Sequence, residues 1–389
     1  MNVIRILSWV IGIFVLALIV VSFISSEDKS VDDVIDNFRS DSNKQDDLKD
    51  KNSIIDFNSV VDLNSIVSKT ENTYSDIKNR IVYGSKNRKL PTEVYFCPED
   101  NCEEKLITLI SNSKKTIDCA VYDLTLDAVT DALITSNLER NVKVRFVSDA
   151  ERSSSKYSLI GKIKDSNMSV ITNSVDSSYM HNKFCVFDSK IVWVGSMNFT
   201  LNGAYKNNNN VLVIEDKEVA KEFTRKIDTF FDGEFSPQVS SEIYAKDFGN
   251  SEIYFCPEDN CLYHVEDYLE DSNVSLDCMY FSYTLDSVTE IIKNLDSKKR
   301  FIFEKRNSIG YSEYQKLEDL NIPVIVDNNP NNMHNKFCVI DNKIVMTGSL
   351  NLSVNGTENN DESLVFINDS NIAMQYTDYF NKYWQEWNS

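Results

Sequence analysis

VYFCPEDNC at residues 94–102 returns as IYFCPEDNC at residues 253–261, identical from Tyr95 to Cys102 and displaced by 159 positions. The same displacement carries Asp118-Cys119 onto Asp277-Cys278 and Thr125-Leu126-Asp127 onto Thr284-Leu285-Asp286. Further along, HNKFCV at 181–186 matches HNKFCV at 334–339 at a displacement of 153, so the second copy lost six residues in the loop between. All eight cysteines pair off between the copies. Repeats this long are two related half-domains, not a solenoid array.

Within the first copy the hydrophobic period alternates between strand and helix. A strand is expected at Val94–Phe96, an amphipathic helix at Glu104–Ser111, a strand at Thr116–Tyr122 and a helix at Leu126–Asn137. A strand at Val142–Val147 and paired strands at Lys183–Phe187 and Ile191–Val194 follow. That alternation predicts an α/β half with a mixed sheet, and two such halves packing across a pseudo-two-fold axis.

Two of the three histidines sit at matching positions of the copies. In His181-Asn-Lys183 the strand period puts imidazole and ammonium on one face, where both reach one phosphate. Asp188 has the opposite parity and is expected to hold the strand and loop in place. The second set is His334, Lys336 and Asp341. Downstream lie Gly195-Ser196-Met-Asn198 and Gly348-Ser349-Leu-Asn351, turns whose Ser196, Asn198, Ser349 and Asn351 offer donors to phosphate oxygens. A lone H-x-K carries little weight; two, each followed at the same interval by G-S-x-N, carry a great deal.

These motifs resemble the H-x-K-x4-D and G-S-x-N signature of the phospholipase D superfamily, over residues 93 to about 387, and in compactness the copies are closest to its small bacterial endonucleases. The resemblance implies two tandem phospholipase D-like α-β-α sandwich halves (93–235 and 250–389). It also implies phosphoryl transfer without a metal or cofactor: one histidine attacks phosphorus to form a phosphohistidine, and the other protonates the leaving oxygen. The catalytic set carried over is His181, Lys183, Asp188, His334, Lys336, Asp341 and Glu362. Family members carry a carboxylate after G-S-x-N that orients a histidine. The second copy has Glu362 there and the first has Asn209. A carboxylate set against His334 would favour its imidazolium, and an amide set against His181 would leave that ring free to attack. The same asymmetry resembles that of tyrosyl-DNA phosphodiesterases, and makes His181 the expected nucleophile.

The cysteine spacing leaves two readings of C-x4-C: disulfides Cys97–Cys102 and Cys256–Cys261, or a zinc site at Cys256, Cys261 and His264. Against zinc, the first copy has Lys105 where the second has His264. Cys119, Cys185, Cys278 and Cys338 lie in apolar strands and read as buried thiols.

Ile6–Ile24 is free of charge, long enough to span a bilayer, and flanked by Arg5 and by Glu27 and Asp28. It reads as an uncleaved anchor (1–25), a cleaved signal peptide being the alternative. The positive-inside rule then places the N-terminus in the cytoplasm and the body outside. Residues 26–92 read as an acidic spacer ending in a packed helix between Val60 and Arg80.

With 60 acidic and 40 basic residues the net charge is −20, which excludes a broad basic face for duplex DNA. Three functions remain. A nuclease on single strands is favoured, guided by basic runs Lys78–Lys89 and Lys298–Arg306 with Phe301 and Phe303 interleaved. A phospholipase D or cardiolipin-synthase-like phosphatidyltransferase is favoured by the anchor but opposed by the want of an amphipathic interfacial stretch with basic and aromatic faces. A non-catalytic binding module is opposed by the two complete His-Lys-Asn sets. No obligate protein partner is implied.

Overall fold

The computed structural model describes residues 88–174 and 178–388. The apolar run Ile6–Ile24, the spacer and the helix expected between Val60 and Arg80 lie outside these residues. No helix among the described residues is long and apolar enough to cross a membrane.

The first copy runs β1 (Thr92–Cys97), α1 (Cys102–Asn112), β2 (Thr116–Val121), α2 (Asp127–Leu138), β3 (Lys143–Ser148), α3 (Ala150–Ser153), α4 (Ile160–Asp165) and β4 (Ser169–Thr172). It continues with β5 (Lys183–Phe187), β6 (Ile191–Gly195), α5 (Leu201–Tyr205), β7 (Asn209–Glu215) and α6 (Lys217–Phe231). The second runs β8 (Asp247–Phe248), β9 (Ser251–Cys256), α7 (Cys261–Glu270), β10 (Ser275–Tyr280), α8 (Asp286–Asn294), β11 (Lys298–Phe303), α9 (Tyr314–Asp319) and β12 (Val324–Val326). It closes with β13 (Lys336–Ile340), β14 (Ile344–Gly348), β15 (Glu362–Asn368) and α10 (Ser370–Trp387).

The strands form two mixed sheets of the same plan. The first has order β1-β7-β6-β5-β2-β3-β4, and the second β8-β9-β15-β14-β13-β10-β11-β12, with β8 as an added edge. Within each, β2-β3-β4 and β10-β11-β12 run parallel and the rest antiparallel. The seven elements expected from the period are present with ends shifted by at most two residues. Missed were β7 and β15, which open on polar residues, and the long helices α6 and α10 that follow.

Those helices build the joint between the halves. Asp216 and Asp369 cap them, accepting from Val219 N at 3.1 Å and Asn371 N at 2.9 Å. Phe223 of α6 meets Phe184 of its own half at 4.8 Å and Phe255 of the other at 5.1 Å. On α10, Tyr376 meets Phe337 of its own half at 4.9 Å, and Tyr379 stacks on Phe96 of the other at 4.0 Å. One buried cluster therefore runs through both halves, while α1 and α2, and α7 and α8, cover the outer faces with clusters of their own.

The inner cysteines correct the sequence reading. Cys119 faces Cys185 across β2 and β5, and Cys278 faces Cys338 across β10 and β13. Both pairs are disulfides, not buried thiols. Apolar neighbours gave the burial correctly, but only the antiparallel register sets the sulfurs opposite one another. Cys97–Cys102 and Cys256–Cys261 are also bridged. This consumes the thiolates of the zinc alternative, and His264 stacks on Tyr254 at 3.7 Å instead.

Four residues of the basic runs are held by structural partners, and residues 78–87 lie outside the described residues. Arg88 and Lys89 pair with Asp216 and Asp369. In β11, Lys299 donates to the carbonyls of Ile292 and Leu295, Arg300 pairs with Asp277, and Phe301 and Phe303 are buried.

Candidate active site

Each H-x-K segment is zipped onto the other copy just before it enters its own sheet. Met180 forms an isolated parallel bridge with Asp361, and Asn208 forms its counterpart with Met333. His181 N donates to Asp361 O at 2.9 Å, and His334 N donates to Asn208 O at 2.8 Å. The next residue on each partner strand, Glu362 or Asn209, then turns its side chain to the imported histidine.

This crossing exchanges the partners that sequence alone suggested. The His181 Nδ1–H donates to Glu362 at 2.7 Å. The His334 Nδ1–H donates to Asn209 Oδ1 at 2.9 Å and to Ser196 O at 3.1 Å. Carbonyl oxygens only accept, so Nδ1 of His334 carries the ring proton, and an ionised Glu362 sets the same tautomer in His181, leaving Nε2 for chemistry. The carboxylate thus stands against His181 and the amide against His334, because orienting groups are supplied across the joint and not within a copy.

The serines of G-S-x-N serve these orienting groups. Ser349 Oγ donates to Glu362 at 2.5 Å and Ser196 Oγ donates to Asn209 Oδ1 at 3.0 Å. Both are fully buried, and here their hydroxyls hold the orienting groups. The glycine is required by close approach: a Cβ on Gly348, at φ +141°, would lie 2.1 Å from Ser363 O, and one on Gly195 would lie 2.2 Å from Asn210 O. Asn198 and Asn351 each keep a buried Oδ1 with no partner among the described residues.

Lys183 and Lys336 reach back to the carbonyls of His181 and His334 at 2.5 and 2.8 Å. Asp188 and Asp341 stand at the far ends of β5 and β13. Asp188 accepts from the backbone N–H of Lys114, Lys115 and Thr116, and Asp341 from those of Asn273, Val274 and Ser275. Burial alone would raise both carboxyls, but these donors hold them below the usual range. They brace the hairpin, as the parity argument expected, and belong outside the catalytic set.

Sequence reasoning missed the lining. Tyr122 and Phe281 present their rings to His181 and His334 at 4.8 and 4.7 Å, with Lys183 and Lys336 over their faces at 5.0 and 4.6 Å. Asp149 accepts from Met180 N at 3.2 Å and Glu304 from Met333 N at 2.6 Å, fixing the residue before each histidine. A carboxylate directly after β3 and another directly after β11 was the available signal.

Burial drives the site's electrostatics. It pushes both imidazoles well below their ordinary value, and the ammonium groups of Lys183 and Lys336 push the same way. Burial lowers Lys183 to about 7 despite Glu362, Asp123 and Asp149, and lowers Lys336 as well. Glu362 is raised by burial to about 8 against the pull of Lys183, Ser349 and Lys336. A single carboxylate touches this cluster of four basic groups, so the cluster is suited to an anion that would restore its charge.

Comparisons with known proteins agree with this architecture. The family profile described as "Cardiolipin synthase, PLD-like domain" matches residues 106–231 and 272–384. The mitochondrial cardiolipin hydrolase of Chlamydomonas reinhardtii is 25% identical over 144 residues, 35% of this chain and 64% of that protein. The phospholipase D of Rickettsia prowazekii (strain Madrid E) is 30% identical over 128 residues, 33% of this chain and 62% of that protein. The chain thus spans under two thirds of either relative. The phosphatidylserine synthase of Haemophilus influenzae Rd KW20 shares the fold at a TM-score of 0.61 and 12% identity, over 79% of this chain and 90% of that one.

Proposed function

Since the chain belongs to the family of the cardiolipin synthase, PLD-like domain, we propose that it is a phosphodiesterase working through a covalent histidine intermediate at one site shared by its two copies. The observation that carries this reading is the reciprocal anchoring of the two Nδ1 atoms, His181 on Glu362 and His334 on Asn209, each across the joint.

The exchanged partners remove the ground on which the sequence made His181 the nucleophile, an amide against its ring; the role is assigned to His181 here on a different ground, that Glu362 at its Nδ1 stabilises the ring once it is phosphorylated. With the diester anion in the site His334 takes up a proton at Nε2; the His181 Nε2 then bonds to phosphorus while the bond to the leaving oxygen breaks and the His334 Nε2–H protonates that oxygen. His334 then takes a proton from water, the water oxygen bonds to phosphorus, and the P–N bond breaks to free His181. Positive charge grows on the attacking ring, and Glu362 at its Nδ1–H compensates it. The amide and carbonyl behind His334 compensate less, leaving that imidazolium readier to give up its proton. Lys183, Lys336 and the amides of Asn198 and Asn351 balance the non-bridging oxygens.

Phospholipid is the favoured substrate. Arg88, Lys89, Lys299 and Arg300 are held by carboxylates or backbone carbonyls, which weakens the support for a guided nucleic-acid strand. The loops after β3 and β11 leave the sheet edge on which the H-x-K segments enter, and they expose Tyr157, Ile309 and Tyr311 at 68%, 78% and 94%. They are tied to the site: Arg152 Nε donates to Tyr122 OH at 2.9 Å, and Arg306 donates to Pro330 O at 2.9 Å. Exposed apolar tips beside Lys156, Lys305 and Arg306 suit an anionic lipid interface. The names of the relatives, cardiolipin hydrolase and phospholipase D, point the same way, as does the anchor expected at Ile6–Ile24. A nucleic-acid reading keeps one support, Lys156 lying over the Tyr157 ring at 4.8 Å, an arrangement that also takes a stacked base.

The test is turnover by the full-length protein in EDTA, with labelled cardiolipin vesicles and a labelled single-stranded oligonucleotide in parallel and His181→Ala and His334→Ala as controls. Lipid turnover lost in both variants is expected. Cleavage of the oligonucleotide alone would return the substrate to nucleic acid, and activity abolished by EDTA would end the metal-free mechanism.

A further inference from the structure

Behind the orienting groups the two copies use opposite electrostatics in the same place. Lys226 of α6 is 1% exposed, and its Nζ lies 2.7 Å from Glu258 and 3.1 Å from Asp361, itself fully buried. The Asp361 carboxylate also accepts from Ser236 N at 3.0 Å. Asp361 is the residue whose carbonyl takes the His181 N–H, and its neighbour is Glu362. In the other copy the position ten residues past the helix cap is Tyr379, and the residue before Asn209 is Asn208. Asn208 Nδ2 donates to Tyr379 OH at 3.2 Å, and Asn329 donates to its Oδ1. Glu99, the counterpart of Glu258, pairs instead with Lys382, which is half exposed.

Lys226–Asp361–Glu362 therefore stands where Tyr379–Asn208–Asn209 stands in the pseudo-equivalent half. A buried ion set is no more stabilising than a well-packed neutral one, and the fold itself displays the neutral solution on the same backbone. Stability does not account for the charged version.

We propose that Lys226, acting through Asp361, is a positioning residue that breaks the symmetry of the site: it pins the strand entry that delivers Glu362 to His181, and so commits His181 to nucleophilic attack. The proposal rests on the phosphohistidine reading above for its consequence in rate, but not for its effect on His181 itself. The charged neighbours are few. Lys226 faces Glu258 and Asp361; Asp361 faces Lys226 and Glu258; Glu362 faces His181, Lys183 and Lys336; His181 faces Glu362, both lysines and Arg152. Burial and Glu258 already raise Asp361 to about 6 while Lys226 resists. Without the ammonium, Asp361 protonates near neutrality and its hold on the strand entry changes.

The test uses full-length protein carrying ¹⁵N only in its three histidines, with Lys226→Met and the paired exchange Lys226→Tyr/Asp361→Asn. The pair copies the neutral half and guards against a variant that fails to fold. His181 titration is followed by NMR, with His264 as internal reference, and kcat, KM and their pH profiles are measured on bis(p-nitrophenyl) phosphate. Both variants are expected to move the His181 titration by about one unit while His264 stays, and to lower kcat about 10- to 100-fold at unchanged KM. A His181 titration and pH–rate profile matching the unmodified protein in the paired exchange would overturn the proposal. A shifted titration in a protein that turns over no diester would uphold the positioning role and sink the phosphodiesterase reading alone.

Discussion

His181 Nδ1 and Glu362 Oε1, 181 residues apart in sequence, lie 2.7 Å from each other. That contact joins the two copies at the reacting ring, so neither half holds a complete catalytic histidine alone. Glu362→Gln keeps the shape and an acceptor but removes the charge that, in the proposed mechanism, would balance a phosphorylated ring. It is expected to lower kcat by about 10²-fold with little change in KM, and Asn209→Ala by about 10-fold. Steady-state kinetics on a soluble aryl diester decide this; equal losses would mean that the charge at Glu362 has no special role.

The division of labour between the histidines has its own signature. A p-nitrophenolate leaves without help, whereas an alkoxide needs a proton. His334→Ala should therefore lose only modestly on p-nitrophenyl diesters and about 10²- to 10⁴-fold on alkyl diesters. His181→Ala should fail on both. The opposite pattern would exchange the roles.

Much of this was legible in one sequence because the gene-length repeat reports on itself: matched His181 and His334, matched Ser196 and Ser349, and matched Asp188 and Asp341 leave little room for accident. What stayed hidden depends on contacts between segments far apart. The exchange of Glu362 and Asn209 between histidines follows from the bridges Met180–Asp361 and Asn208–Met333, which no periodicity reveals. The inner disulfides depend on strand register, and Tyr122 and Phe281 carry no motif. The Lys226 and Tyr379 positions were missed with α6 and α10, two amphipathic helices whose buried faces carry charged and aromatic residues among the aliphatic ones.

The cross-strand disulfides should dominate the covalent contribution to stability. Cys119–Cys185 closes a sequence separation of 66 and Cys97–Cys102 one of 5. In the chain-entropy account these contribute about 4 and about 2 kcal/mol. Denaturant titration of Cys119→Ala/Cys185→Ala against Cys97→Ala/Cys102→Ala is expected to show the larger loss for the first pair. Thiol titration of the unfolded, unreduced protein should find no free cysteine among the eight.

Lys183 sets a pH signature for binding. Its ammonium is lowered by burial to about 7 from 10.5, so between those values the free site holds it largely neutral. An oxyanion beside it favours the charged form again. Binding of vanadate or tungstate in this range should then take up protons, and affinity should fall as pH rises. Calorimetry in two buffers of different ionisation enthalpy reads the uptake directly. Identical heats in both buffers would mean that Lys183 does not change protonation on binding.

The exposed loop tips separate binding at an interface from chemistry. Ile309 and Tyr311 are exposed and belong to none of the buried clusters, so Ile309→Ser/Tyr311→Ser should fold and melt as the unmodified protein does. If these side chains dip into lipid, each forfeits part of the ~1.5–3 kcal/mol that full burial of such a group provides. Activity on anionic vesicles should then fall by about 10-fold or more at low lipid concentration, and recover as lipid is raised. Turnover of a soluble diester should not change, because Arg306 and Glu304, which brace the loop at His334, are intact. An equal loss on the soluble substrate would show that the loop shapes the catalytic cage. A loss confined to oligonucleotide would make the same tips a stacking platform and restore the nuclease reading.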